Sequence, residues 1–354
     1  MPATVEVTDF EAALTRNCKI KHAVAVNSGT SALEIVARLL LNDGQVLRQG
    51  KVVAVSDYTF IATSNAIHNS GLDVCPVPCL ATNYAMSPAS LKAEIEARGS
   101  KNNRSIAGVF FTLPGGNIVS TLLEIAQICD THDLPLIIDA ASSIAVDFEA
   151  LLRLCPNFAA IILSFNGNKV ITSGAGGAIL TNLDDLAEKT RTHISLHRKS
   201  NYEHFGVGEN KKMPALTAAL GLSQLEELDW RATARKRVFE TYVKILDDSK
   251  LGRKFRFSLD ESVLSPSYWI AGFIPIDEGD AEIVVKSRNL LRELNIISPP
   301  FWKPLSEQAE YSKFLESPVS GQSDVLPDYL QLPSHCGVDN EMLISKMKKF
   351  EEII

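Results

Sequence analysis

Runs of β-branched and aliphatic residues recur at short intervals through the first half of the chain: KVVAVS (51–56), IAGVFFTL (106–113), LPLIIDAA (134–141), AAIILSF (159–165) and GAILT (177–181). Apolar runs of this length, with no polar alternation, suit strands buried on both faces. Between them lie helical patterns, SALEIVARLLL (31–41), IATSNAIHNSG (61–71) and STLLEIAQICDTHD (120–133). This alternation predicts an α/β fold, with a mostly parallel sheet covered by helices on both sides. In such sheets ligands sit at the carboxyl ends of the strands, where the loops turn into helices. The residues that close each run are therefore the first candidates for chemistry.

A chain of 354 residues has room for about two domains. The stretch TAALGLSQLEELDWRATARKRVFETYVKIL (217–246) reads as one long amphipathic helix, and beyond it the texture changes. Residues 253–274 and 290–334 are richer in Pro, Ser and aromatics, with helical patterns at SRNLLRELN (287–295) and NEMLISKMKKFEEII (340–354). We expect a large α/β domain over residues 1–230, then a connecting helix and a smaller α+β domain over 231–354.

The formal charge is -7 with no basic block, so neither a nucleic acid nor an anionic membrane has electrostatic support as a partner. The start, MPATVEVTDFEAALT, lacks the basic and apolar regions of a signal peptide. The apolar region Ile144 to Leu163 is interrupted by Asp147, Glu149 and Arg153, so no membrane span is expected and the location is read as cytoplasmic. Of the cysteines only Cys75 and Cys79, in VCPVPCL, lie close together, and no second ligand pair accompanies them. No metal site is expected, and the thiols are read as reduced.

Three stretches carry chemistry. In VAVNSGTSALEIV a strand-like AVAV runs into Asn27-Ser28-Gly29-Thr30-Ser31, which opens a helix. Small residues with free N–H groups at such a position suit an anion, commonly a phosphate; plain capping by Ser28 or Thr30 is the alternative. Asp139 closes the apolar run LPLIIDAA, where a buried carboxylate would demand a cationic partner; capping of the following helix is the alternative. In SFNGNKVITSGAGGAIL (164–180), Ser164 ends a strand and Lys169 follows in a small polar loop. Neither GNK nor GAGG matches a nucleotide-binding fingerprint. A lysine held beside apolar strands loses hydration, its amine pKa falls, and it becomes a nucleophile for carbonyls. A phosphate site, a buried acid and such a lysine are together what pyridoxal 5'-phosphate requires.

These stretches resemble motifs of the DegT-type nucleotide-sugar aminotransferases, from about residue 10 to 345. HAVAVNSGTSAL resembles the phosphate-binding opening, YTFIATSNAI (58–67) a second motif, IIDAA the acid motif and SFNGNK the lysine motif. YEHFGVGENKKMPALTAALGLSQLEELD (202–229) is similar to the G-x-N-x-[RK]-M loop with its helix, and PPFWKPL (299–305) to a small-domain motif. The resemblance implies the fold type I of pyridoxal phosphate-dependent transferases, aspartate aminotransferase-like. It also implies that Lys169 holds the cofactor as a Schiff base and moves the substrate proton, while Asp139 holds the pyridinium. Phe60 is expected to stack on the ring. Gly29, Thr30, Ser31 and Ser164 are expected to hold the phosphate, with Asn210 reaching it from the second subunit of a homodimer. Gly174, Gly176 and Gly177 fit a tight turn nearby. His204 is a candidate for touching substrate, whereas the other histidines read as structural or surface residues. The family moves an amino group from glutamate to a keto group on a nucleotide-linked sugar; SFNGNKVITSG with SYWI (267–270) leans toward 4-keto-6-deoxy sugars of the bacillosamine and legionaminic acid kind. Departures are Ser142, where relatives carry Gln, His or Glu beside the ring hydroxyl, FTLPGGNIV (111–119) in place of a histidine-and-aromatic loop, Pro299, and a short N-terminal lead. They motivate an alternative: a pyridoxal phosphate-binding homologue with a regulatory or assembly role.

Overall fold

Of strands β1 (His22–Val26), β2 (Val52–Ser56), β3 (Asp73–Val77), β4 (Ile106–Thr112), β5 (Ile118–Val119), β6 (Leu136–Asp139), β7 (Ala160–Ser164) and β8 (Gly177–Thr181), β2, β4, β6, β7 and β8 follow the five apolar runs and β1 the AVAV stretch, whereas β3 and β5 fall outside them. All but β5 form one sheet in the order β1-β8-β7-β6-β4-β2-β3. Its neighbours are parallel except at β8, which runs antiparallel to both β7 and β1. This computed structural model describes residues 4–42, 51–99, 105–198, 202–277, 281–309 and 328–354.

Alternate residues of each strand feed different layers, because successive side chains point to opposite faces. One layer takes Ala54, Phe111, Ile138 and Leu163 against helices α1 (Val5–Cys18), α4 (Pro88–Gly99), α5 (Thr121–Thr131), α6 (Phe148–Leu154) and α8 (Ala215–Glu226). The other takes Val53, Phe110, Ile137 and Ile162 against α2 (Gly29–Val36), α3 (Ile61–Asn69) and α7 (Asp184–His193). Both faces are thereby dry, which is why the runs show no polar alternation. Strand β3 carries Pro76 opposite Val55, a position open to proline because β3 is an edge strand.

The stretch 217–246 is two helices. The chain leaves helical geometry at Glu227 (φ -95, ψ 5), between α8 and α9 (Leu228–Asp247). The cause is packing on two different bodies. Helix α8 lies against α1, with Gly221 so near Phe10 that a Cβ would sit 2.9 Å from its ring. Helix α9 instead sends Val238, Phe239, Tyr242 and Leu246 into a separate core. That core also holds β9 (Phe255–Phe257), β11 (Ala271–Pro275) and β12 (Leu330–Leu332), a three-stranded antiparallel sheet in the order β12-β11-β9. Helices α10 (Ala281–Glu293) and α11 (Asn340–Ile353) cover it. Part of the Pro- and Ser-rich stretch 290–334, residues 310–327, lies outside the described residues.

Two segments lead from this core back to elements of the first half of the chain. Strand β10 (Val263–Ser265) pairs with β5. Further on, Leu305 is buried in the layer of α2 and α3, and Asp57 fixes it there. The Asp57 carbonyl accepts from Leu305 N–H at 2.8 Å, and its carboxylate accepts from Ser306 N–H at 2.8 Å and Ser306 O–H at 2.6 Å. No helix among the described residues is long and apolar enough to cross a membrane.

Candidate active site

The carboxyl ends of β4, β6 and β7 meet the first turns of α2 and α3 around a cavity of about 330 Å³. Asp139 and Lys169 are the charged residues among those lining it.

Asp139 ends β6, the central strand, and is buried. Its carboxylate accepts from Thr63 O–H at 2.6 Å and from Ala141 N–H at 3.1 Å. Thr63 belongs to a buried hydroxyl chain, with Thr59 3.1 Å from it and Thr112 2.8 Å from Thr59. Burial pushes the Asp139 carboxyl above its usual value, against these two hydrogen bonds and the more distant Lys169 charge. Among the described residues it makes no ion pair at contact distance. It caps no helix either: α6 begins at Phe148 and is capped by Asp147, whose carboxylate accepts from the N–H groups of Glu149 and Ala150. A dry carboxylate without a cation, facing a cavity, is a site for a positively charged ligand atom.

Lys169 hangs from the turn after β7, where its own N–H donates to Asn166 O at 3.0 Å. Its ammonium donates to Ser142 Oγ at 2.7 Å and lies 4.1 Å from the centre of the Trp269 ring. Burial drops the amine pKa from 10.5 to about 8, with Asp139 pulling weakly the other way. Such an amine is partly neutral near physiological pH and hence nucleophilic.

At the start of α2, Ser28 Oγ accepts from Ser31 N–H at 3.0 Å and donates to Ser31 Oγ at 2.9 Å. Capping therefore occupies Ser28 and Ser31, while Gly29 and Thr30 line the cavity at the positive end of the helix dipole. Close backbone approach explains the glycines. A Cβ on Gly29 would lie 2.8 Å from Ser164 Cβ, and one on Gly177 would lie 2.5 Å from the Ser28 carbonyl carbon. Ser164 also lines the cavity, and its hydroxyl takes only a long 3.4 Å bond from Asn166 N–H.

The expected residues fall into two groups. Gly29, Thr30, Phe60, Asp139, Ser142, Ser164 and Lys169 line the cavity. Phe60 stands half-exposed at the rim, its ring 6.0 Å from that of Trp302. Ser31 is buried just behind the lining. Asn210 and His204 lie elsewhere, on an exposed loop with Tyr202, Phe205 and Val207. Asn210 bridges to Ser195, and His204 Nδ1 is 2.7 Å from Leu196 O. Sequence reasoning did not single out Thr59, Thr63, Thr112, Trp269 or Trp302, which complete the cavity wall. Thr63 had a signal, since it lies in the first turn of α3, three residues after the capping position Phe60. Burial raises the thiols of Cys75 and Cys79 to about 12, which makes them poor nucleophiles.

Comparison with known proteins identifies the family and the fold. A profile of the DegT/DnrJ/EryC1/StrS aminotransferase family matches residues 4–350. GDP-perosamine synthase of Caulobacter vibrioides is 30% identical over 350 residues, spanning 94% of this chain and 85% of that one. UDP-4-amino-4,6-dideoxy-N-acetyl-beta-L-altrosamine transaminase of Helicobacter pylori is 25% identical over 360 residues, spanning 97% and 89%. A DegT DnrJ EryC1 StrS aminotransferase from Brucella abortus has the same fold, with a TM-score of 0.84 at 23% identity over 98% of this chain and 90% of that one. So does ntda of Bacillus subtilis, solved with bound cofactor PMP, with a TM-score of 0.80 at 20% identity over 99% and 78%. The chain belongs to the DegT/DnrJ/EryC1/StrS aminotransferase family and is a pyridoxal phosphate-dependent aminotransferase of fold type I.

Proposed function

We propose that this aminotransferase moves an amino group from glutamate to a keto group of a nucleotide-linked 4-keto-6-deoxy sugar, in the making of an amino sugar for a surface glycan or an antibiotic. The observation that carries the reading is the pair Asp139 and Lys169: an acid without a cation and an amine with a lowered pKa, facing one cavity. The residues present fit pyridoxal phosphate. A protonated ring nitrogen answers the uncompensated Asp139 carboxylate, and the first turn of α2 with the Ser164 hydroxyl suits a phosphate. When bound, the cofactor supplies an electron sink conjugated to its aldehyde carbon.

In this reading each residue has a defined task. Asp139, oriented by Thr63 and Ala141, holds the proton on the ring nitrogen. Gly29 and Thr30 would supply the helix-start contacts to the phosphate, and Ser31, whose N–H is held by Ser28, would add its hydroxyl. Phe60 covers one ring face and keeps water from it. Lys169 would hold the cofactor's aldehyde end, and its amine would carry a proton to and from the substrate carbon. Ser142, already bonded to that amine, would meet the ring hydroxyl. Asn210 reaches the phosphate of a second copy, so the working unit is a homodimer, and His204 of the same loop approaches the substrate. The reaction takes place in the cytoplasm.

The relatives support the sugar-nucleotide class, since GDP-perosamine synthase and the altrosamine transaminase carry it in their names. The presence of Lys169 and Asp139 on one cavity favours turnover over the regulatory alternative. The test has two stages. Purified protein given pyridoxal phosphate and then borohydride should carry the cofactor's mass on the peptide containing Lys169. The amine-loaded protein should then be discharged by one member of a panel of keto-sugar nucleotides, read by the return of the visible absorption band. A colourless protein indifferent to the cofactor overturns the cofactor roles, and a coloured one that no keto sugar discharges overturns the substrate class.

A further inference from the structure

Among the described residues Lys169 is the only cationic group lining the cavity, yet its ammonium makes no ion pair. A dry ammonium needs partners for its charge. Ser142 Oγ takes one N–H at 2.7 Å, and the face of Trp269 lies 4.1 Å from the nitrogen on another side. An aromatic face at that distance attracts a cation through its negative quadrupole.

The indole is held with unusual completeness. Trp269 N–H donates to Ser267 Oγ at 3.2 Å, and its ring N–H donates to Asn168 O at 2.8 Å, in the loop that carries Lys169. Its carbonyl accepts from Arg235 Nη1 at 3.2 Å and from Ser334 O–H at 2.7 Å. Tyr268, one residue before, stands at φ 55, in the left-handed region that strains a residue with a Cβ. Arg235 Nη1 holds that strained turn as well, donating to Tyr268 O at 3.2 Å and to Ser334 O at 3.1 Å. Arg235 is buried and has no carboxylate partner among the described residues; its bonds to protein acceptors go to these backbone carbonyls. A buried guanidinium that serves three carbonyls around one strained turn is a clamp on the direction of the side chain that follows.

We propose that Trp269 is the positioning residue for the reacting amine: its indole face and the Ser142 hydroxyl form the cradle in which Lys169 rests, and Arg235 aims the indole through the backbone of Tyr268 and Trp269. The inference rests on Lys169 being the reacting amine, and it concerns the protein before any cofactor is bound. Asp139 is the other charged group facing Lys169 across the cavity, and Arg235 lies beyond the indole, bonded to the backbone.

The experiment uses cofactor-free protein and reads the Lys169 peptide alone, by acetic anhydride trace labelling across pH 6 to 11 (approximately the range that brackets an amine of pKa about 8). Trp269→Leu keeps the site apolar and removes the ring face, so the Lys169 midpoint should fall by about one pH unit. Trp269→Phe keeps a ring face and should stay near the wild-type midpoint. A midpoint that is unchanged or rises in Trp269→Leu, or that falls equally in Trp269→Phe, overturns the proposal. A purely structural tryptophan would lower stability in both variants without separating their midpoints. If Trp269→Leu does not fold, the intact protein still decides the question. The Trp269 share of tryptophan fluorescence, found by subtracting Trp269→Phe, should titrate with the Lys169 midpoint and lose that step in Lys169→Met; a Trp269 signal flat in pH overturns the proposal. Trapping of the cofactor at Lys169 tests the reading on which this rests and is independent of either outcome.

Discussion

At the carboxyl end of α2, Glu34 and Glu209 share Arg38 and Lys211 in ion pairs of 2.6 to 2.8 Å, with the buried His193 3.6 Å from Glu209. At the amino end of the same helix, Asp139 and Lys169 face one cavity with no such pair among the described residues. The two groups respond oppositely to burial. Burial would raise the Glu209 carboxyl, but the bonds from Lys211 and Arg38 outweigh it and hold it below its usual value. At the cavity burial wins, so the acid is raised and the amine is lowered. Satisfied charges hold the base of the loop that follows α7, while unsatisfied ones leave the cavity poised for a ligand that completes them.

The contrast can be broken from either side. The largest effect should come from Lys169→Ala, which removes the amine and should cut turnover by on the order of 10³-fold, measured as 2-oxoglutarate release from glutamate. Asp139→Asn keeps the shape but loses the charge, and should cost on the order of 10²-fold in the same assay. At the other cluster the effect should fall on stability. Glu34→Gln leaves Arg38 and Lys211 underpaired in a mostly buried place and should cost about 3 kcal/mol in urea unfolding at neutral pH, with the cofactor-binding spectrum of the folded protein intact.

A smaller effect should have the opposite sign. The Lys169 amine has a folded pKa of about 8, below the unfolded value near 10.5, so its burial costs stability fully below pH 8 and the cost fades up to about 10.5. Lys169→Met should therefore stabilise the cofactor-free protein by about 2 kcal/mol at pH 7, with the gain shrinking toward zero by about pH 10.5, read from urea midpoints. Smallest is the acid limb of Glu209. Its folded pKa is depressed, so its contribution is present above the ordinary carboxyl value and is lost as pH falls through the folded value. The difference between wild type and Glu209→Gln, about 1 kcal/mol at neutral pH, should close as the pH drops below about 4.

What could be read from the sequence follows from where period and position carry information. Strands β2, β4, β6, β7 and β8 announce themselves because both faces are dry, and the residues closing β6 and β7, Asp139 and Ser164, are automatically candidates. Lys169 lies in the loop that leaves β7, and Gly29 opens the helix that follows β1. Edge strand β3 hides behind Pro76, since a proline reads as a break unless the edge position is known. The turn at Glu227 hides because α8 and α9 are each amphipathic, and only the existence of two cores separates them. Trp269 is the hardest case. Its partner Asn168 lies 101 residues away, and a left-handed Tyr268 has no glycine to signal it.

Trp269 and Trp302 close the cavity from one side with ring centres 6.0 Å apart, and they are moored differently. Trp302 precedes the stretch that Asp57 ties to the end of β2, whereas Trp269 hangs from the Arg235 backbone clamp beside the second core. Two indoles this close couple their electronic transitions, so their near-ultraviolet circular dichroism works as an optical gauge of the gap. Any rotation of the small sheet relative to the large one changes that couplet, and the aperture of the cavity can be followed in solution without attaching a label.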